Sequence, residues 1–336
     1  MIRKPLRKLG LSLALAAAIW CAPASVQAAS TVTVAIGGKG LITYLPLTLA
    51  EQLGYFKDAG LSVQVSDFAG GSKSIEALVG GSVDVAVAAF EHTLLLQRKG
   101  IEIKAIALFN ESYGAVLALK PELAKAYKSP ADLKGLKMGA TAPGTSGALL
   151  VSIVLSKSKL PPSAVSIIGI GGGPGALAAV KAGQLDGVSQ FDPLITQLIH
   201  DGDVVPIVDT RTPEGMSYAY GGYLAASAVL ASPKFLSQNS AAAKAFAGAI
   251  ARTMKWLKTA TPEQVAATVP QAYLGGNPAL YREAVQSAKA TFTADGAVPS
   301  EAAENTYKVL STHGPLLGVK DINVTAAYDN TFVRTQ

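Results

Sequence analysis

An internal repeat constrains this chain more than any other feature. At an ungapped offset of 102 residues, Gly70-Gly71 aligns with Gly172-Gly173, Ala77 with Ala179, Gly81 with Gly183 and Asp84 with Asp186. Each copy reads as a glycine loop, one helix, Gly-x-x-Asp and then an apolar strand. Glycine lets the backbone turn sharply into a helix. A second glycine ends the helix in the left-handed region, and the aspartate can hydrogen-bond backbone in the turn before the strand. Any chain of βαβ units repeats glycine in this way. The sharper reading is two similar α/β lobes, each offering a loop and a helix N-terminus to a shared cleft.

The flanking segments extend that alternation. Thr31–Ile36, Leu61–Val65 and Val83–Ala88 read as strands, with helices over Pro46–Phe56 and from Gly70 to Val79. Ile103–Leu108 and Ala115–Leu119 are further strands. Pro130–Gly135 is a helical turn before the strand Lys137–Thr141, and a helix follows the loop Ala142–Gly144 as far as Ser156. Ser166–Ile170, a glycine loop, a helix and a strand at Gly187–Gln190 complete the set. Such alternation argues for parallel βαβ units. The last third is helical: Phe246, Ile250, Met254 and Leu257 share a face, and more helices are predicted over 262–273, 278–291 and 300–311.

The N-terminus has the three-part pattern of an export signal. Arg3, Lys4, Arg7 and Lys8 precede an apolar run from Leu9 to Ile19, and Val26-Gln27-Ala28 offers cleavage after Ala28. The run is shorter than the roughly 20 apolar residues of a membrane span. Trp20 is too bulky for lipoprotein processing at Cys21. Removing 1–28 takes four of the 29 basic residues, leaving 25 against 23 acidic ones, so the net charge falls from +6 to +2. No nucleic-acid surface is indicated by that balance. The single cysteine leaves with the signal. A thiol-free chain suits an oxidising compartment and excludes thiolate catalysis, thiolate–zinc sites and iron–sulfur clusters. The expected location is the periplasm.

Catalytic motifs are weak. His92, His200 and His313 lack metal-site spacing, so no metal and no cofactor is expected. Gly144-Thr-Ser146-Gly-Ala148 lacks the last glycine of a nucleophile elbow. Gly169-x-Gly171-x-x-Pro174 fails the dinucleotide pattern at its third glycine, and Gly71-Ser-Lys73-Ser74 lacks phosphate-loop spacing.

Binding features are stronger. Three Gly/Ser/Thr loops lead into helices at Gly70–Ser74, Pro143–Ser146 and Gly171–Gly175. Free N–H groups and the positive end of the helix dipole favour anions there. Gly71, Ser72, Gly144, Thr145 and Ser146 are therefore candidate ligand contacts, although such hydroxyls also serve as plain caps. Phe90-Glu91-His92 and Phe191-Asp192-Pro193 follow matching strands, where open α/β sheets bind ligands. Two carboxylates facing one cleft would favour a ligand with an amine, amidine or ring N–H. The bland alternative is core phenylalanines and an ordinary Asp-Pro turn. Lys39 can pair with an anion, and Tyr44, Tyr218 and Tyr220 are candidate cleft walls.

Four motifs in order then resemble a known family. They are Pro46-Leu-Thr-Leu-Ala50 with Gly54-Tyr-Phe56 and Gly60-Leu-Ser-Val63; Gly70-Gly-Ser72 with Ala77-Leu78 and Gly81-Ser-Val-Asp84; Asp132-Leu-Lys-Gly135 with Gly139 and Pro143-Gly-Thr-Ser146; and Ala178-Ala with Gly183-Gln-Leu-Asp186 and Asp192-Pro193. Residues 31–315 look like the substrate-binding proteins of ABC importers, in the nitrate/sulfonate/taurine group that includes thiamine-pyrimidine-precursor binders. The resemblance implies a bilobal α/β fold of the type II periplasmic-binding-protein kind, with a central cleft and two hinge crossovers. Lobe one is expected at 29–113 and 222–336 and lobe two at 114–221, hinged at Glu111–Tyr113 and Gly221-Gly222. It also implies a monomer that captures a small organic anion or zwitterion, such as a sulfonate or carboxylate. The monomer would hand it to an ABC permease driven by a cytoplasmic ATPase. An enzyme on the same fold, resembling thiamine pyrimidine synthase, is the alternative.

Overall fold

The computed structural model describes residues 1–2, 29–68 and 70–334, so the predicted signal at 1–28, apart from its first two residues, lies outside the described residues. From Ser30 the chain forms β1 (Ser30–Ile36), α1 (Leu45–Gln52), α2 (Tyr55–Asp58), β2 (Leu61–Asp67), α3 (Gly71–Val79), β3 (Val85–Ala89), α4 (Glu91–Gln97) and β4 (Lys104–Leu108). A second series follows: β5 (Val116–Leu119), α5 (Pro121–Ala126), β6 (Lys137–Ala140), α6 (Ser146–Ser156), β7 (Ser166–Gly169), α7 (Pro174–Lys181), β8 (Gly187–Gln190), α8 (Leu194–His200), β9 (Val205–Asp209) and α9 (Pro213–Tyr220). The chain returns through β10 (Ser227–Ala231) and ends in α10 (Pro233–Gln238), α11 (Ser240–Thr259), α12 (Pro262–Thr268), α13 (Pro278–Ala288) and α14 (Ser300–His313).

Two five-stranded sheets result, ordered β2-β1-β3-β10-β4 and β7-β6-β8-β5-β9. They are copies of one plan. In each, three parallel strands are followed by one antiparallel strand, β10 or β5, and then by an edge strand. The antiparallel strand pairs irregularly with that edge in both, between Val229 and Leu230 in one and between Leu117 and Ala118 in the other. The repeat seen in the sequence is therefore a repeat of architecture. Gly81 and Gly183 both take φ 73°, ending equivalent helices. Asp84 and Asp186 do more than serve the turn: each accepts a hydrogen bond from the neighbouring strand, at Thr33 N and Lys137 N, both 2.8 Å.

The remaining differences from expectation have local causes. The helix predicted over Pro46–Phe56 breaks at Gly54, which takes φ 76° and separates α1 from α2. The one predicted over 262–273 stops at Thr268, before Pro270, which cannot donate to a continuing helix. The chain passes between the sheets at 109–115 and 210–226, and these crossovers pair with each other. Leu224 N donates to Glu111 O at 2.8 Å and Ser112 Oγ to Thr210 O at 2.6 Å. Across the cleft, Ile42 N donates to Asp192 O at 3.0 Å, and Ser156 Oγ lies 2.9 Å from His313 Nδ1. Among the described residues no helix is long and apolar enough to cross a membrane.

Candidate functional site

The N-termini of α3 and α6 converge on a small pocket between the sheets. Backbone packing dictates the arrangement. A Cβ on Gly37 would lie 2.2 Å from Gly70 C and Gly71 N, so only glycine after β1 lets the start of α3 close in. Gly70 itself takes φ 136°. Across the cleft, a Cβ on Gly147 would come within 2.9 Å of Ser189 O, so α6 lies directly on β8.

The pocket holds about 20 Å3, room for a single functional group. Gly71 and Ser72 reach it from α3, Thr145 and Ser146 from α6, and Tyr44 and His92 close its sides. Thr43, Thr141 and Ser227 add hydroxyls. Three of the lining hydroxyls are committed: Thr43 Oγ1 and Ser227 Oγ bond each other at 2.7 Å, and Thr145 Oγ1 donates to Ala142 O at 2.7 Å. The buried Thr141 hydroxyl has no protein partner.

The polar lining is electrically neutral. Among the described residues no Lys, Arg, Asp or Glu side chain borders the pocket. Burial pushes His92 down to about 4, so its ring is uncharged at neutral pH. Burial, and then the nearby Glu91 carboxyl, push the Tyr44 hydroxyl up, so it stays protonated. The first-turn N–H groups of two helices and a ring of hydroxyls remain. That set donates hydrogen bonds along two positive dipole ends and suits an oxyanion.

Seven of the predicted contacts meet here: Tyr44, Gly71, Ser72, His92, Thr145, Ser146 and Phe191. Six do not. Lys39 forms an ion pair with Glu51 at 3.1 Å, and its loop is held by Asp67, which accepts from Gly38 N and Lys39 N. Phe90 is fully buried beside Tyr328, with ring centroids 6.4 Å apart. Gly144 is exposed and serves only the turn into α6, at φ 76°. Tyr220 is buried edge-on against Tyr113 at 6.0 Å.

The two carboxylates correct the largest expectation. Glu91 accepts a hydrogen bond from the Tyr113 hydroxyl, and burial pushes its carboxyl up to about 7. Asp192 accepts from Thr196 Oγ1 at 2.6 Å and from Arg211 Nη1 at 3.1 and 3.2 Å. Burial pushes Asp192 up, while Arg211 and Thr196 pull it back. Neither side chain borders the pocket, so the case for a ligand with an amine or ring N–H loses its basis. Arg211, which binds both Asp192 and Asp209, had no local signal in the sequence. Thr43 and Ser227 were missed for the same reason, being brought in by distant segments. Thr141, the last residue of the predicted strand Lys137–Thr141, was missed as well, although its place just before the loop that carries Thr145 and Ser146 was a usable signal.

Comparison with known proteins agrees with this architecture. A solved structure of a protein from Bordetella bronchiseptica RB50 is 41% identical, with a TM-score of 0.87 over 91% of this chain and 96% of that one. The alkanesulfonate-binding protein SsuA from Xanthomonas axonopodis pv. citri, solved with MOPS bound, is 20% identical, with a TM-score of 0.66 over 89% of this chain and 98% of its own. That likeness is one of fold, the bilobal α/β fold of periplasmic binding proteins. Among curated relatives, the 4-amino-5-hydroxymethyl-2-methylpyrimidine phosphate synthase THI11 of Saccharomyces cerevisiae is 33% identical over 98 residues, 29% of this chain. The match spans only 28% of that yeast protein's length. The profile of the NMT1/THI5-like family matches residues 42–265, two-thirds of the sequence, and the chain belongs to that family.

Proposed function

We propose that this protein is a periplasmic solute-binding protein. It captures a small organic anion, or the acidic group of a zwitterion, and delivers it to an ABC-type permease powered by a cytoplasmic ATPase. The carrying observation is the neutral, donor-rich pocket where α3 and α6 converge between two sheets. Capture leaves the ligand unchanged. The SsuA likeness supports the transport reading, and the Val26-Gln27-Ala28 site supports export with cleavage after Ala28. Lobe one is assigned to 29–113 and 222–336 and lobe two to 114–221, because the crossovers lie at those boundaries. Hinge closure about Glu111–Tyr113 and Gly221-Gly222 then seals the pocket. Small-angle scattering of the monomer should show contraction on ligand addition, and an unchanged radius at saturation would remove the hinge.

The direct test is a thermal-shift screen over sulfonates, aromatic carboxylates, pyrimidines and nitrate, followed by calorimetric titration of the best ligand. Ser72→Ala combined with Ser146→Ala removes two hydroxyl donors and keeps the backbone. A hydrogen bond to a charged group contributes about 1.5–3 kcal/mol, so affinity should fall more than tenfold. Undiminished affinity would make both hydroxyls helix caps and no more. The yeast synthases favour one other reading, an enzyme on this fold. It requires pyrimidine product to accumulate in a turnover assay, whereas a carrier returns its ligand intact.

A further inference from the structure

The pocket between α3 and α6 is too small to contain a whole organic ligand. At about 20 Å3 it accepts a head group only. Beside it lies a second cavity of about 560 Å3, and Gly37, Leu41 and Thr141 border both. The larger cavity is inside the range that holds drug-sized molecules. Its walls come from three places. Phe68 and the glycine loop after β1 form one side, and Leu177 and Leu194, from α7 and α8, form the other. The third wall, Tyr273, Leu274, Leu280 and Tyr281, belongs to the C-terminal helices and has no counterpart in the repeated units. Among the described residues the only charged side chain on this lining is Asp67. Its Oδ1 is already occupied by Gly38 N at 2.8 Å and Lys39 N at 3.0 Å. The Tyr281 hydroxyl is buried and has no protein partner.

We infer that the ligand is an acid with a substantial apolar body, its acidic group in the small pocket and its body in this adjoining groove. The inference rests on the function proposed above and narrows it. A bare inorganic anion or a two-carbon acid would leave the groove unused. A body with a second charge would bury that charge against leucine and aromatic walls without a counter-ion. Leu41 stands where the two spaces meet. A Cβ on Gly172, across the cleft, would come within 2.9 Å of Leu41 Cδ2, so glycine there keeps the passage open.

The test is calorimetric titration of the full mature chain with straight-chain sulfonates of three, five and seven carbons, and with the matching carboxylates. Burial of a methylene contributes about fourfold in affinity, so Kd should fall steeply along each series. Leu177, half-buried on the groove wall, is changed to aspartate in a second preparation, with circular dichroism to confirm folding. Leu177→Asp should collapse the seven-to-three-carbon affinity ratio to below tenfold. Equal Kd values along the wild-type series, with the three-carbon acid bound, would overturn the groove and leave the pocket standing. An unchanged ratio in Leu177→Asp would also overturn it. Failure of every acid to bind would overturn the pocket reading and the groove together.

Discussion

Glu91 and Asp192 occupy near-equivalent places, one residue apart in register, directly after the third strand of each repeat. Both are about 3% exposed. Their partners differ completely. Two residues past β9 stands Arg211, whose Nη1 donates to both carboxylate oxygens of Asp192. Two residues past β4 the matching place is Asn110, which hydrogen-bonds Thr43 and Thr291 and brings no charge. Glu91 is left with the Tyr113 phenol. One buried carboxylate therefore joins an ion pair, whereas the other faces a phenol and its carboxyl is raised to about 7. Neither carboxylate is free to recognise a ligand, so both belong to the framework behind the pocket.

The difference can be broken most severely at Arg211. Arg211→Met leaves Asp192 buried without its counter-ion, and removing one partner of a buried pair costs about 3–5 kcal/mol. Urea denaturation should show that loss, and adding Asp192→Asn should recover part of it. A cost below about 1 kcal/mol would mean the pair is dispensable.

At Glu91 the effect depends on pH. Its carboxyl is raised from 4.5 to about 7 in the fold, so the folded state prefers the proton. The associated stability is full below about pH 4.5 and is lost as pH rises to about 7. A shift of this size corresponds to about 3 kcal/mol across the window. Glu91→Gln should flatten that slope. If the wild-type slope persists in the variant, another group carries it.

The smallest contrast sharpens the comparison at the strand starts. Asp84 accepts from both Thr33 N and Thr33 Oγ1, at 2.8 and 2.7 Å, whereas Asp186 accepts from Lys137 N alone. Each such bond contributes about 1 kcal/mol, so Asp84→Ala should destabilise by about 2 kcal/mol and Asp186→Ala by about 1. Equal losses in thermal unfolding would show that the hydroxyl bond adds nothing.

These features divide according to how far along the chain their causes lie. The glycines at 81 and 183, the aspartates after them and the glycine loops into α3 and α6 were legible, because local sequence determines a turn. Phe90 and Phe191 look equivalent in the sequence, each preceding a carboxylate after a matching strand, yet only Phe191 reaches the pocket. Side chains alternate faces along a strand, and a slip of one residue sends the ring to the opposite side. In the offset of 102 residues, the partner of Phe191 is Ala89, which does line the pocket. Arg211, Ser227 and the 272–281 wall required the tertiary path of the chain. No pattern near Asp192 announces a guanidinium 19 residues later.

The placement of β10 has a consequence for the order in which the molecule can be finished. Every strand of the β7-β6-β8-β5-β9 sheet lies within 116–209, so its pairing partners have all emerged before the chain turns back. The other sheet begins first but stays split, because β3 and β4 meet only through β10, at 227–231. The N-terminal strands must wait for a partner more than a hundred residues downstream, and closing so long a loop is slow. The middle of the chain can thus complete its sheet while the beginning is still open. Until β10 arrives, β3 and β4 carry unsatisfied edges, the form most exposed to wrong partners.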